Sequence, residues 1–148
     1  MNLLDADASE TKWLTCGNES AGEFLRQWRA YVHGIDDIID KEITAPEEII
    51  GVFMQAAFVY SHPFYLAHLI ELRQIVINCT NAYADVVAWE NSTDDWKQQF
   101  ADHYRHFGAE MVIAIAFICG GYLHMREASK LLRVVCWEDH HDEKGNIT

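Results

Sequence analysis

The chain has 148 residues, half of them apolar, with 23 acidic and 11 basic side chains that give a net charge of -12. This length and apolar content suffice for one hydrophobic core, so we expect a single domain over residues 1–148. The negative charge repels phosphate backbones and no cluster of Lys and Arg offsets it, which argues against a nucleic-acid partner.

Several location signals are absent from the sequence. The four cysteines form no Cys-x-x-Cys pair and no dense pattern, which indicates reduced thiols in a cytoplasmic protein. The N-terminus lacks the basic and apolar regions of a signal peptide. The longest apolar run, Met111 to Leu123, is too short to span a bilayer and predicts a buried helix instead.

A first helix is predicted over residues 20–41. Ser20-Ala21-Gly22-Glu23 matches a capping box, and the 19 residues before it are expected to be peripheral or mobile. Asp36 and Asp40 lie at the edge of the apolar seam, with Arg29 nearby, whereas Asp37 points further towards solvent.

The second and third helices are predicted over residues 45–60 and 63–91. Thr44-Ala45-Pro46-Glu47 opens the second, and His62-Pro63 interrupts the pattern between the two. The third helix is apolar over most of its circumference, and its polar stripe includes Asn81 and Asp85. A stripe of this kind usually faces solvent, but it is rich in amides and has no Lys, so Asn81 and Asp85 are also candidate metal ligands.

A fourth helix is predicted over residues 93–133. One of its faces carries His103, His106 and Glu110 near the start and small or apolar side chains further along, as in the wall of a pocket with a charged mouth. The alternative for each histidine is a partly buried surface position. Met111 to Leu123 is expected to be the most buried segment, and residues 138–148 are expected to be peripheral or mobile.

No window alternates as a strand does, so we predict an all-α fold of four long helices in a mainly antiparallel bundle. In that topology the first and third helices end where the fourth begins. Seven polar side chains are therefore predicted to line one mouth: Asp36, Asp40, Asn81, Asp85, His103, His106 and Glu110.

The predicted mouth has the composition of a metal site. Carboxylates at i and i+4 share one helix face, and Mg²⁺ takes ligands from one or two carboxylates and a substrate's phosphates. Acidic residues are also unfavourable at a helix C-terminus unless a cation offsets them, although a solvated helix end remains the alternative. Histidine ligands would equally allow Mn, Fe or Zn.

The segment Tyr31-Val32-His33-Gly34-Ile35-Asp36-Asp37-Ile38-Ile39-Asp40 resembles the first aspartate-rich motif of the isoprenoid synthase superfamily, especially the squalene and phytoene synthase branch. The resemblance covers residues 20–125, and Asn81-Ala82-Tyr83-Ala84-Asp85 is similar to the start of a second motif. It implies that Asp36 and Asp40 bind Mg²⁺ holding an allylic diphosphate, with Asn81 and Asp85 on the opposite wall. The arginines available to grip the diphosphate would be Arg29, Arg73 and Arg105, with Arg126 as a further candidate.

Three function classes follow from the sequence. The first is a small Mg²⁺-dependent enzyme acting on a prenyl or other diphosphate, with His103, His106 and Glu110 as its catalytic residues. The second is an all-α nucleotide pyrophosphohydrolase. The third is a helical interaction or assembly protein that pairs with a second copy of itself, since the chain has five Trp and ample apolar surface.

Overall fold

The computed structural model describes residues 8–140, with side chains described over residues 9–136. All regular elements in this range are helical, which confirms the all-α prediction. They are α1 (Ala8–Leu14), α2 (Glu19–Ile39), α3 (Pro46–Val59), α4 (Pro63–Ala67), α5 (Leu69–Trp89), α6 (Asp95–Tyr104), a 3-10 turn (Arg105–Gly108) and α7 (Ala109–His140).

Contacts divide the chain into two compact units, whose described parts are residues 8–69 and 70–140. Each unit is considered by itself below, and the single domain over residues 1–148 stays a prediction. Most of the predicted tail over residues 138–148 lies outside the described residues.

The ends of α2 differ in detail from the predicted capping box. Asn18, rather than Ser20, caps the N-terminus, because its side-chain oxygen accepts a hydrogen bond from the Ala21 amide at 3.0 Å. At the other end Lys41 adopts a positive φ of 62°. The amide of Glu42 then reaches back to the carbonyl of Asp37 at 2.8 Å, which closes the helix.

The core of the first unit forms where α2 meets α3 and α4. Gly34 on α2 allows a close approach to α3, since a Cβ there would lie 2.8 Å from Val52 Cγ2. Phe24 stacks on Tyr65 with ring centroids 5.7 Å apart and also contacts the ring of His62. The N-terminal segment is less peripheral than expected, because Leu14 on α1 is buried.

In the second unit, aromatic contacts connect α5 to α6 and to the 3-10 turn. Trp89 at the end of α5 contacts Trp96 and Phe100 edge to face, with centroids 5.5 and 5.3 Å apart. Phe100 stacks on Tyr104 at 4.3 Å, and Tyr104 stacks on Phe107 at 5.5 Å. Five rings therefore form one continuous row.

The fourth predicted helix is not continuous. The 3-10 turn interrupts it at Arg105–Gly108, and inside α7 Gly121 has the non-helical angles φ 79° and ψ -173°. Glu110 Oε1 and Arg133 Nη2 nevertheless lie 2.7 Å apart. In a straight helix residues this far apart in sequence would be separated by roughly 35 Å. The chain therefore reverses at Gly121, and the two halves of α7 form an antiparallel hairpin.

This reversal also corrects the predicted burial of Met111 to Leu123. The first part of the segment is buried, with Met111, Ile115 and Ala116 fully enclosed. Tyr122 and Leu123, at the tip of the hairpin, are mostly exposed. The run is therefore buried at its start and exposed at its end, and apolar composition alone does not determine the burial of each residue.

One apolar segment, Asp95–Cys136, is long and apolar enough to cross a membrane by length and composition, and 33% of its most apolar window is buried. Core helices of soluble proteins meet the same criterion, and the reversal at Gly121 falls inside this segment. The expected absence of a membrane span and the cytoplasmic location therefore stay predictions.

Candidate functional site

A cavity of about 340 Å³ opens in the second unit. The end of α6, the 3-10 turn and the two halves of α7 provide its walls. Its lining residues are His103, Tyr104, His106, Phe107, Glu110, Arg133 and Cys136. This volume lies within the range of small-molecule sites.

The charged groups of the cavity are paired with each other. The carboxylate of Glu110 and the guanidinium of Arg133 form an ion pair at 2.7 Å, and both are partly exposed. Cys79 on α5 donates a hydrogen bond to the carbonyl of Phe107, with a sulfur–oxygen distance of 3.6 Å. Burial, and then the charge of Glu110, raise the pKa of the Cys79 thiol to about 11. At neutral pH this thiol is therefore protonated and unreactive.

All three residues predicted to be catalytic line this cavity. His103 is exposed, whereas His106 and Glu110 are half-buried. Sequence reasoning missed Arg133 and Cys136, because a straight helix would have placed them far from Glu110. The Gly120-Gly121 pair was the available signal for the reversal, since glycine adopts positive φ readily.

The predicted metal ligands are distributed over both units. In the first unit, Asp36 lies in the last turn of α2 and is half-buried, and Asp40 is the C-cap residue of this helix and is exposed. Asn81, exposed, and Asp85, half-buried, lie one turn apart on α5 in the second unit. Among the side chains of residues 9–136, no group of three or more His, Cys, Asp or Glu could hold a metal ion. A shared metal site therefore stays a prediction.

The arginines expected to grip a diphosphate differ in their surroundings. Arg73 and Arg105 are exposed, whereas Arg29 is buried on α2. Burial lowers the pKa of Arg29 to about 10, and the nearby carboxylate of Glu10 partly offsets this effect. Arg29 Nη2 is enclosed without a hydrogen-bond partner in the part of the chain that the structure describes. The guanidinium of Arg29 therefore lies in the interior of the first unit.

The largest side chains exposed on α3 form a second candidate site that sequence reasoning missed. Ile50, Phe53, Met54 and Phe58 are 62%, 61%, 59% and 65% exposed. They lie at i, i+3, i+4 and i+8, which places them on one side of the helix. We call these four residues the α3 apolar face. The opposite side of α3 is also apolar, and there Val52 and Val59 are buried.

Comparisons of the chain with protein-family models, with curated proteins and with solved structures find no match. The resemblance to isoprenoid synthases therefore stays a prediction that depends on the aspartate-rich segment of α2.

Proposed function

We propose that this chain is a helical interaction protein of the cytoplasm, which binds a partner protein through the α3 apolar face. The observation that carries the proposal is the exposure of Ile50, Phe53, Met54 and Phe58 side by side on one helix. At roughly 150–250 Å² for a large aromatic side chain, these exposed fractions amount to about 500 Å² of apolar surface. A patch of this size is in the upper half of the range for the largest patch of a monomer, and such patches are often binding sites.

The composition of the face supports a protein partner. Aromatic side chains and Met are enriched in the cores of protein–protein interfaces, and charged residues are depleted there. Phe53, Met54 and Phe58 match that composition, and the acidic residues of α3, Glu47 and Glu48, lie at its first turn. The face therefore has an apolar centre with charge only at one end.

A charge placed in the centre of the face tests the proposal. Phe53→Asp should weaken binding of the partner at least tenfold, because removing a central aromatic side chain typically costs about 2 kcal/mol or more. Gln55→Asp is the matched control, since Gln55 is exposed on the same helix but points away from the face.

Binding partners are captured on the tagged wild type in cells that make this protein, and each one is purified and titrated against the three forms. A partner that prefers the wild type and the Gln55→Asp variant to the Phe53→Asp variant supports the proposal. If every purified partner binds all three forms equally well, the α3 apolar face is not the binding surface.

A second candidate function is a Mg²⁺-dependent enzyme acting on a prenyl diphosphate. The cavity favours it, because His103, His106 and Glu110 line one space of small-molecule size. By the resemblance, Asp36 and Asp40 would hold Mg²⁺, and Asn81 and Asp85 would hold a further ion. Bound metal would neutralise charge on the leaving diphosphate.

Thermal melting with and without divalent metal tests this second candidate. Millimolar Mg²⁺ should raise the melting temperature by mass action, and Asp36→Asn combined with Asp40→Asn should abolish the rise. Asp37→Asn is the control and should matter less. Pyrophosphate release from a prenyl diphosphate would favour the synthase reading, and release from a nucleoside triphosphate would favour a pyrophosphohydrolase. An unchanged melting curve in Mg²⁺, Mn²⁺ and Zn²⁺ would count against both.

A further inference from the structure

The central row of the α3 apolar face is symmetric about Met54. Ile50 precedes Met54 by four residues and Phe58 follows it by four, so the three side chains lie in one row along the helix. Phe53 and Ala57 lie along one side of this row, and both are exposed. A surface with this internal symmetry can pair with itself, because a two-fold axis places the same patch on both partners.

We infer that the α3 apolar face binds the same face of a second copy, with the two α3 helices antiparallel and a two-fold axis at Met54. This inference rests on the proposed function and names its partner. In this register Ile50 lies opposite the partner subunit's Phe58, and Met54 lies opposite the partner subunit's Met54. Gly51 and Ala57 lie on the two sides of this row, and these small residues allow the helices to approach closely.

The area of the face is sufficient for such a pair. With about 500 Å² on each copy, complete covering of the face removes about 1,000 Å² of surface from water, which is the size of weak, transient interfaces. Each aromatic side chain would be covered by apolar side chains of the other copy. An interface of this size is expected to dissociate on dilution rather than to be permanent.

The distribution of charge determines the direction of the pair. Glu47 and Glu48 occupy the first turn of α3. A parallel pair would bring four carboxylates to one end, where they would repel each other. The antiparallel pair separates the two acidic ends by about 20 Å along the helix axis.

The same charges disfavour a lipid surface. Helices that bind anionic membranes carry Lys and Arg beside their apolar face. The sequence between Lys41 and Arg73 contains neither residue type. A second copy of the chain needs no such basic flank.

Light scattering of the full chain at about 1 to 100 µM tests the association, since this range covers the dissociation of small interfaces. The wild type and Gln55→Asp should approach twice the mass of one chain at the upper concentrations. Phe53→Asp should stay at the mass of one chain, with its dissociation constant raised at least tenfold. A monomeric wild type throughout, or equal masses for all three forms, would overturn the inference.

Failure of the inference and failure of the proposed function give different results. If the wild type is monomeric but a different purified protein binds it and not Phe53→Asp, the face is functional and the self-pairing is wrong. If the wild type is monomeric and sediments with phosphatidylglycerol vesicles, whereas Phe53→Asp does not, the α3 apolar face binds a membrane. If Phe53→Asp changes no association at all, both proposals are wrong.

Disulfide trapping tests the register. Met54→Cys should form a covalent dimer on mild oxidation, because residues on a two-fold axis approach closely enough for the bond. Gln55→Cys is the control and should form several-fold less covalent dimer. The oxidised wild type measures how much covalent dimer arises from the exposed Cys16. Equal trapping at positions 54 and 55, or none at 54 in a dimeric sample, would overturn the antiparallel register.

Discussion

Replacing Gly121 with alanine should destabilise the protein, although the new methyl group has room. The angles at Gly121, φ 79° and ψ -173°, lie in a region that is essentially restricted to glycine. A Cβ built there meets no atom within 4 Å, so the penalty comes from the backbone alone. Such strain costs about 1–3 kcal/mol. For a chain of this size it lowers the melting temperature by roughly 2–4 °C per kcal/mol.

The neighbouring glycine is the matched control. Gly120 is helical and is not among the described glycines with positive φ. Gly120→Ala should therefore leave stability unchanged or raise it by up to about 1 kcal/mol, since alanine loses less entropy in a helix. Urea unfolding followed by circular dichroism measures both variants. In a continuous helix both substitutions would stabilise, so a Gly121→Ala variant that is more stable than the wild type would refute the reversal.

Three further predictions concern packing, the hairpin and pH. Gly34→Ala should destabilise by about 1–3 kcal/mol in the same assay, because its Cβ would lie 2.8 Å from Val52 Cγ2, and adding Val52→Ala should recover part of the loss. A double-mutant cycle of Glu110→Ala and Arg133→Ala should give a favourable coupling of about 0.2–1 kcal/mol that decreases with added salt, and an unfavourable coupling would contradict the ion pair. Stability should fall as the pH rises towards about 11, because the folded state holds the proton of Cys79 after the unfolded state has lost it. Unfolding of Cys79→Ala should show a smaller fall, and an equal fall in both proteins would contradict this assignment.

Local signals predicted most helix boundaries within a few residues. Proline fixes its own φ and restricts the residue before it. For this reason α3 begins at Pro46 and ends shortly before the His62-Pro63 pair, close to its predicted limits. The cap of α2 was misplaced because Ser20 and Glu23 match a capping box in sequence. Asn18 is an equally good cap, and only the hydrogen bond to Ala21 shows which residue is used.

The candidate sites depended on information that periodicity does not contain. His103, His106 and Glu110 are close in sequence, so a helical pattern brought them together correctly. Arg133 joins them only through the turn at Gly121, and a glycine within an apolar run is compatible with either a helix or a reversal.

The α3 apolar face is a similar case. This helix is apolar on both sides, and hydropathy does not distinguish the side with Val52 from the side with Phe53. Burial of the side with Val52 depends on its packing against α2, which is a property of the packed unit. Exposure of the other side therefore became apparent only from the structure.

The most direct measurement of the central claim is the methyl NMR spectrum of the protein labelled at methionine. The chain has four Met, and Met54 alone belongs to the α3 apolar face, whereas Met111 is fully buried. If the face binds a second copy, the Met54 methyl resonance shifts as the protein is diluted from about 100 to about 1 µM, and the Met111 resonance stays constant. In Phe53→Asp the Met54 resonance should stay, at every concentration, at the position that it has in the dilute wild type. A Met54 resonance that is independent of concentration and does not respond to any purified partner would contradict the claim that this face is the binding surface.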